Sequence, residues 1–120
     1  KDINIHIHSD QTIKRVINSV LLSIVVSNLL KNAIANMRNG RVDIYIDQDT
    51  LVVEDNGGGL PEVVEGLFNQ GGVVIKGGNA SYLGLGLSIV KRICEREGWM
   101  IHAEKSESGG ARFTLNLSGL

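Results

Sequence analysis

Ten of the fifteen glycines in this chain of 120 residues fall between Gly57 and Gly86. Clear apolar periodicities lie on both sides of that stretch, so the glycines do not signal general looseness. The glycine-rich stretch has unusual backbone freedom and few side chains to keep other groups away. It must be a region where the backbone turns sharply or where something approaches it closely. Any fold for this chain is therefore a set of regular elements arranged around a glycine-rich gap. The length allows one domain, spanning 1–120, with one hydrophobic core. With 42% hydrophobic but only 4% aromatic residues, that core is built mainly from Ile, Val and Leu.

The period of the apolar residues sets out the elements. Ile3, Ile5 and Ile7 alternate with Asn4, His6 and His8, the pattern of a half-buried strand. Ile13 to Ile17 is ambiguous between a strand and a helix start, and is read as a strand because Asn18-Ser19 then caps the next helix. Leu21, Leu22, Val25, Val26, Leu29, Leu30, Ala33, Ile34 and Met37 recur at helical spacing, which predicts a helix over 20–37 ended by Asn39-Gly40. Val42, Ile44 and Ile46, then Thr50 to Val53, form two strands joined by the short loop Asp47-Gln48-Asp49. Pro61 to Leu67 suits a short helix with proline at its first position. Asn69 to Leu83 has no period and reads as a flexible loop.

A second long helix opens at Gly84-Leu85-Gly86, carries Leu87, Val90, Ile93 and Cys94 on one stripe, and stops at Gly98. Met100 to Glu104 and Arg112 to Leu117 are strands joined by the hairpin loop Ser106–Gly110. Hairpins imply antiparallel pairing. The fold class is α+β: a two-layer sandwich with a mixed, mostly antiparallel sheet of about five strands and helices on one face.

Several function classes are excluded early. Twelve basic against thirteen acidic residues leave a formal charge of −1, with no general pull toward nucleic acid or an anionic membrane. The run Val20–Leu30 is broken by Ser23, Ser27 and Asn28 and is too short to span a bilayer. No secretory-leader pattern opens the sequence. The single Cys94 excludes an internal disulfide, fits a reducing compartment and suits a small core position.

Three motifs carry candidate chemistry, and each has a bland reading. Asn28, Asn32 and Asn36 lie four apart on one helical row; such a row is a polar outer stripe unless something needs amides there. Asp55-Asn56-Gly57-Gly58-Gly59 sits at a strand end, where it could be a tight turn and nothing more. Gly84-Leu85-Gly86-Leu87 sits at a helix start, where free N–H groups favour phosphate, although a glycine-rich helix start needs no ligand. It is neither a Walker loop, lacking Gly-Lys-Ser/Thr, nor a dinucleotide fingerprint, since Ile89 occupies the third small position.

In combination they say more. Ser27-Asn28-Leu29-Leu30-Lys31-Asn32-Ala33, Val53-Glu54-Asp55-Asn56-Gly57-Gly58-Gly59-Leu60-Pro61, Leu67-Phe68 and Gly84-Leu85-Gly86-Leu87-Ser88-Ile89-Val90 stand in that order along the chain. The series resembles the ATP-binding catalytic domain of sensor histidine kinases, in the superfamily shared with gyrase, the ninety-kilodalton heat-shock chaperone and mismatch-repair ATPases. The likeness covers nearly the whole chain, including the last hairpin with Arg112-Phe113-Thr114-Leu115.

The resemblance implies a Bergerat-type fold, ATP and Mg²⁺ as ligands, and a role for each matching residue. Asn32 matches the magnesium asparagine, whose amide oxygen suits a hard cation completed by phosphate oxygens. Asp55 matches the carboxylate that accepts the adenine amino group. Gly57 and Gly59, with Leu60 beside them, border the purine; Gly84, Leu85, Gly86 and Leu87 border the phosphates. The segment from Asn69 to Leu83 matches the lid, and Lys76 is its only cation. Asn28 stands where the superfamily's hydrolases place a glutamate base. An amide takes no proton usefully at neutral pH, which implies a kinase that holds ATP without activating water.

The chain departs from the family at Ala35 and Asn36, where a lysine and an aromatic are common, and at Tyr82, where a further glycine is usual. His6, His8 and His102 lie on strands and lack the context of the family's phosphate-accepting histidine. Read this way, the chain transfers the γ-phosphate of ATP to a histidine on a separate dimerisation domain of the same parent chain. A response regulator lies downstream. The implied parent is a homodimer with this domain in the cytoplasm, and the isolated domain is a monomer. The competing readings are a degenerate ATP-sensing or scaffolding module, motivated by Ala35 and Tyr82, and an ATP hydrolase or a serine kinase of the anti-sigma-factor type.

Overall fold

The computed structural model describes residues 2–9, 17–35, 39–57 and 80–118. In chain order these form β1 (Asp2–Ser9), α1 (Ser19–Ala35), β2 (Asn39–Asp47), β3 (Thr50–Asp55), α2 (Ala80–Glu97), β4 (Met100–Lys105) and β5 (Ala111–Asn116). The strands make one five-stranded sheet in the order β1-β2-β3-β5-β4. Only β1 and β2 are parallel, and the remaining pairs are antiparallel. The fold is the α+β sandwich expected from the alternating strands and the two apolar helix stripes.

Local chemistry explains where the elements begin and end. Asn18 Oδ1 accepts hydrogen bonds from the N–H groups of Val20 and Leu21, both at 3.1 Å, and so satisfies two donors that the first turn of α1 cannot use. Asn18→Ala should destabilise the domain by about 1 kcal/mol, read as a lowered melting temperature. At the end of α2, Gly98 adopts φ 74° and the Trp99 N–H reaches back to the Cys94 carbonyl at 2.9 Å. That is the six-to-one bond of a glycine-terminated helix. The β2–β3 hairpin turns at Gln48 and Asp49, with Gln48 at φ 51°, and closes on the pair Asp47↔Thr50.

The core lies between the helices and one face of the sheet. Val25, Leu29 and Ala33 of α1, with Leu87, Val90 and Cys94 of α2, press on Val42, Ile44, Leu51, Val53, Phe113 and Leu115. Alternation then commits Asp43, Tyr45, Glu54, Arg112 and Thr114 to the outer face. Cys94 is a core residue, as expected, and burial followed by the Glu95 charge pushes its thiol up to about 12. Among the described residues no helix is long and apolar enough to cross a membrane.

Three expectations need correction. Asn39-Gly40 does not stop a helix but opens β2, because Asn39 and Gly40 pair with Asp2 and Ile3 of β1, and sheet pairing overrides their weak strand preference. The isoleucine row of β1 faces the helix side, yet Ile5 and Ile7 are 48% and 67% exposed, because β1 is the edge strand. The loop read as running to Leu83 ends sooner, since α2 already begins at Ala80. Of the strand read at 13–17, Ile17 is described and belongs to no strand, while 13–16, the residues Asn36 and Met37, the helix read at 61–67 and the loop at 69–79 lie outside the described residues.

Candidate functional site

The site starts from the period of β3. Leu51, Val53 and Asp55 share the helix-side face, so the strand that buries two hydrocarbons carries a carboxylate to the same face at its end. Asp55 is only 5% exposed. Its Oδ1 accepts the Gly57 N–H at 3.0 Å and the Ala111 N–H at 3.3 Å. Among the described residues, both hydrogen bonds to the carboxylate fall on that one oxygen. Burial pushes the Asp55 carboxyl above the ordinary aspartate range; the two N–H groups oppose this, and the neighbouring Glu54 charge adds to it. The tight-turn reading of Asp55-Asn56-Gly57 is thus correct as far as it goes, since the bond to Gly57 closes such a turn. It does not account for the burial or for the bond to Ala111.

The asparagine row lies on α1. Asn28 Nδ2 donates to the Ile24 carbonyl one turn back at 2.8 Å. Its Oδ1 faces α2: a Cβ built at Gly86 would stand 2.9 Å from it, closer than real contacts allow. The missing side chain at Gly86 therefore lets the two helices meet at the Asn28 amide. Asn32, one turn further along the same flank, is half-buried. Ala35, at the end of the helix, is exposed.

The glycine pair on α2 sits differently from the sequence expectation. With the helix beginning at Ala80, Gly84 and Gly86 lie within its first two turns, and the free N–H groups of the start fall at the residues before them. Isolated glycines inside a helix cost about 1 kcal/mol each, which a long amphipathic helix tolerates. Leu87 is 1% exposed and belongs to the core, while Leu85 is described only as part of the helix. Gly59, Leu60 and Lys76 lie outside the described residues.

Sequence reading missed the far wall of the site. The β4–β5 hairpin delivers the Ala111 N–H to Asp55, and it approaches so closely that a Cβ at Gly110 would overlap the Asp55 carbonyl and Oδ1. The signal was the Gly109-Gly110 pair. One glycine serves the turn, with Gly109 at φ 95°, and the second serves the approach.

With this geometry, comparison with known proteins is consistent throughout. Residues 17–119 match the family described as histidine kinase-, DNA gyrase B- and HSP90-like ATPase. The sensor protein QseC of Escherichia coli O157:H7 is 37% identical over 101 residues, covering 83% of this chain and 22% of QseC. The solved cytoplasmic segment of histidine kinase QseC superposes with a TM-score of 0.64 at 28% identity, covering 96% of this chain and 56% of that one. The nucleotide-free catalytic domain of histidine kinase ThkA gives 0.71 at 27% identity, covering 94% and 78%. The chain belongs to this ATPase family, as a catalytic domain of the sensor-histidine-kinase type. It spans about a fifth of the length of the curated relatives it matches.

Proposed function

We propose that ATP binds on the helix-side surface bounded by Asp55, the Asn28–Asn32 row and the first turns of α2, and that the chain is the phosphoryl-donating domain of a two-component sensor kinase. The observation that carries this reading is the buried Asp55, held through one carboxylate oxygen by two backbone N–H groups. The other oxygen then accepts the adenine 6-amino group. Guanine presents a carbonyl at that place and is repelled, so ATP is preferred to GTP.

The donor set suits a magnesium nucleotide. The Asn32 amide oxygen is a hard neutral ligand, and Mg²⁺ takes few protein ligands when phosphates supply the rest. Bound there, the ion would neutralise phosphate charge. The family resemblance assigns Gly57, Gly59 and Leu60 to the base, Gly84, Leu85 and Gly86 to the phosphates and Lys76 to a phosphate contact, while Leu87, 1% exposed, supports the helix from the core instead of bordering the phosphates. Asn28 is no proton acceptor and is already engaged with the Ile24 carbonyl, so the site does not activate water. The γ-phosphoryl group passes instead to an imidazole nitrogen on another domain of the parent chain, and ADP leaves. The three histidines of this chain all stand on strands β1 and β4, at positions of the sheet's outer face, opposite α1 and α2. That placement supports an acceptor supplied from elsewhere. A homodimeric parent, a response regulator downstream and a cytoplasmic location complete the reading.

Adding the chain and γ-labelled Mg-ATP to the parent's acceptor-bearing domain should label its histidine. Binding without transfer would leave the ATP-sensing module, which the exposed Ala35 favours, since a phosphate-binding lysine is common there in the family. Brisk hydrolysis by the isolated chain would restore the ATPase reading.

The pH dependence stems from Asp55. Its folded pKa lies above 3.8, so folding takes up a proton at this group between the two values and the contribution of Asp55 to stability falls as pH rises through that window. A contact that needs the carboxylate behaves oppositely and is lost as pH falls through the raised value. ATP affinity, titrated calorimetrically from pH 7 downward, should therefore weaken before an ordinary aspartate would protonate. Asp55→Asn should lack that limb.

A further inference from the structure

Two polar side chains are buried among the described residues, Asp55 at 5% and Ser106 at 7% exposure, and the chain bonds them to each other's segments across 51 positions. The Ser106 hydroxyl donates to the Asp55 backbone carbonyl at 2.9 Å and accepts the Gly110 N–H at 2.8 Å. Ser108 Oγ lies 3.2 Å away. The hairpin also closes through the Ser106 N–H to the Gly110 carbonyl at 2.9 Å and the Gly109 N–H to the Ser106 carbonyl at 3.0 Å.

These bonds stand where the sheet ends. The register of β3 with β5 runs out at Glu54↔Arg112, so beyond it no ladder pair holds the Asp55 peptide against the hairpin. The Ser106 hydroxyl takes that place. It uses its donor on β3 and its acceptor on the loop, and a buried hydroxyl so engaged is costly to disturb. The Ala111 N–H comes directly after Gly110, and its bond to Asp55 Oδ1 is the longer of the two that hold the carboxylate. The loop is therefore set against the strand by Ser106 and oriented on the carboxylate by Ala111.

We infer that Ser106 is a positioning residue for base recognition: it fixes the hairpin so that the Ala111 N–H occupies Oδ1 and turns the other oxygen of Asp55 toward the 6-amino group of the purine. The inference rests on the base-reading role of Asp55 proposed above. A residue that only strengthens the hairpin would change stability and leave base selectivity alone. A residue that aims the carboxylate changes selectivity.

The test measures binding of ATP and of purine riboside triphosphate, which lacks the 6-amino group, by calorimetry below the melting temperature of each variant. Wild type should prefer ATP. Ser106→Ala should lose roughly tenfold in ATP affinity, the scale of one neutral hydrogen bond, and little for the amino-free nucleotide. Ser106→Thr should restore the preference. Should Ser106→Ala not fold, Ser106→Cys keeps the size with a weak donor and should show the same loss of selectivity. Equal losses for both nucleotides, or a preference that survives in Ser106→Ala, overturn the inference alone. A wild type that binds both nucleotides alike overturns the reading of Asp55 and this inference with it.

Discussion

Alanine at position 55 should weaken ATP binding by roughly 100-fold while the domain still folds. A hydrogen bond to a charged partner contributes about 1.5–3 kcal/mol, or roughly ten- to 150-fold in affinity, and the substitution also frees the oriented backbone N–H groups of Gly57 and Ala111. Stability should respond much less, because two effects oppose each other. Removing the carboxylate relieves a charge whose burial is unfavourable, as the raised pKa indicates, but leaves two amides without their acceptor. The measurements are calorimetry with Mg-ATP and a thermal melt without nucleotide. Unchanged affinity would remove the base-reading role.

Gly110→Ala should act on both properties at once. The new methyl group would collide with the Asp55 backbone carbonyl and with Oδ1, and a backbone atom at the end of a sheet strand has little room to yield. Overpacking of this kind costs about 1–3 kcal/mol. For a domain of this size that is a loss of roughly 5–10 °C in melting temperature. Because the hairpin must back away, the Ala111 N–H leaves Oδ1, and ATP affinity should fall as well. Gly109→Ala is the control. At φ 95° with open space around it, it should cost about 1 kcal/mol through backbone strain and leave ATP affinity as it was.

The contrast between these adjacent glycines shows what the sequence makes legible. Gly109 and Gly98 serve local backbone conformation, and turn and cap chemistry expects them where they are. The same holds for the Asn18 cap and for the alternating Val42, Ile44 and Ile46, whose meaning depends only on near neighbours. Gly110 depends on an atom of Asp55 more than fifty residues away, and Gly86 on the amide of Asn28 on the other helix. No local pattern encodes such distances. The order of strands, with β5 between β3 and β4, is non-local in the same sense.

The start of α2 failed for another reason: Gly84 and Gly86 look like punctuation, yet both are carried within the helix. Of the residues around the candidate site, Asn28, Asn32 and Asp55 were singled out by spacing together with family resemblance. Ser106, Gly110 and Ala111 were not, because a serine and a glycine pair in a hairpin loop are what any hairpin loop contains.

The pairing of β3 with a strand from the far end of the chain has a consequence for biosynthesis. As the polypeptide leaves the ribosome, Asp55 emerges long before Ala111, and the wall that would hold its carboxylate is still unsynthesised. On the proposed role of Asp55, nucleotide binding therefore waits until the closing hairpin has emerged and docked. A ligand bound there would from that moment favour the folded state by mass action.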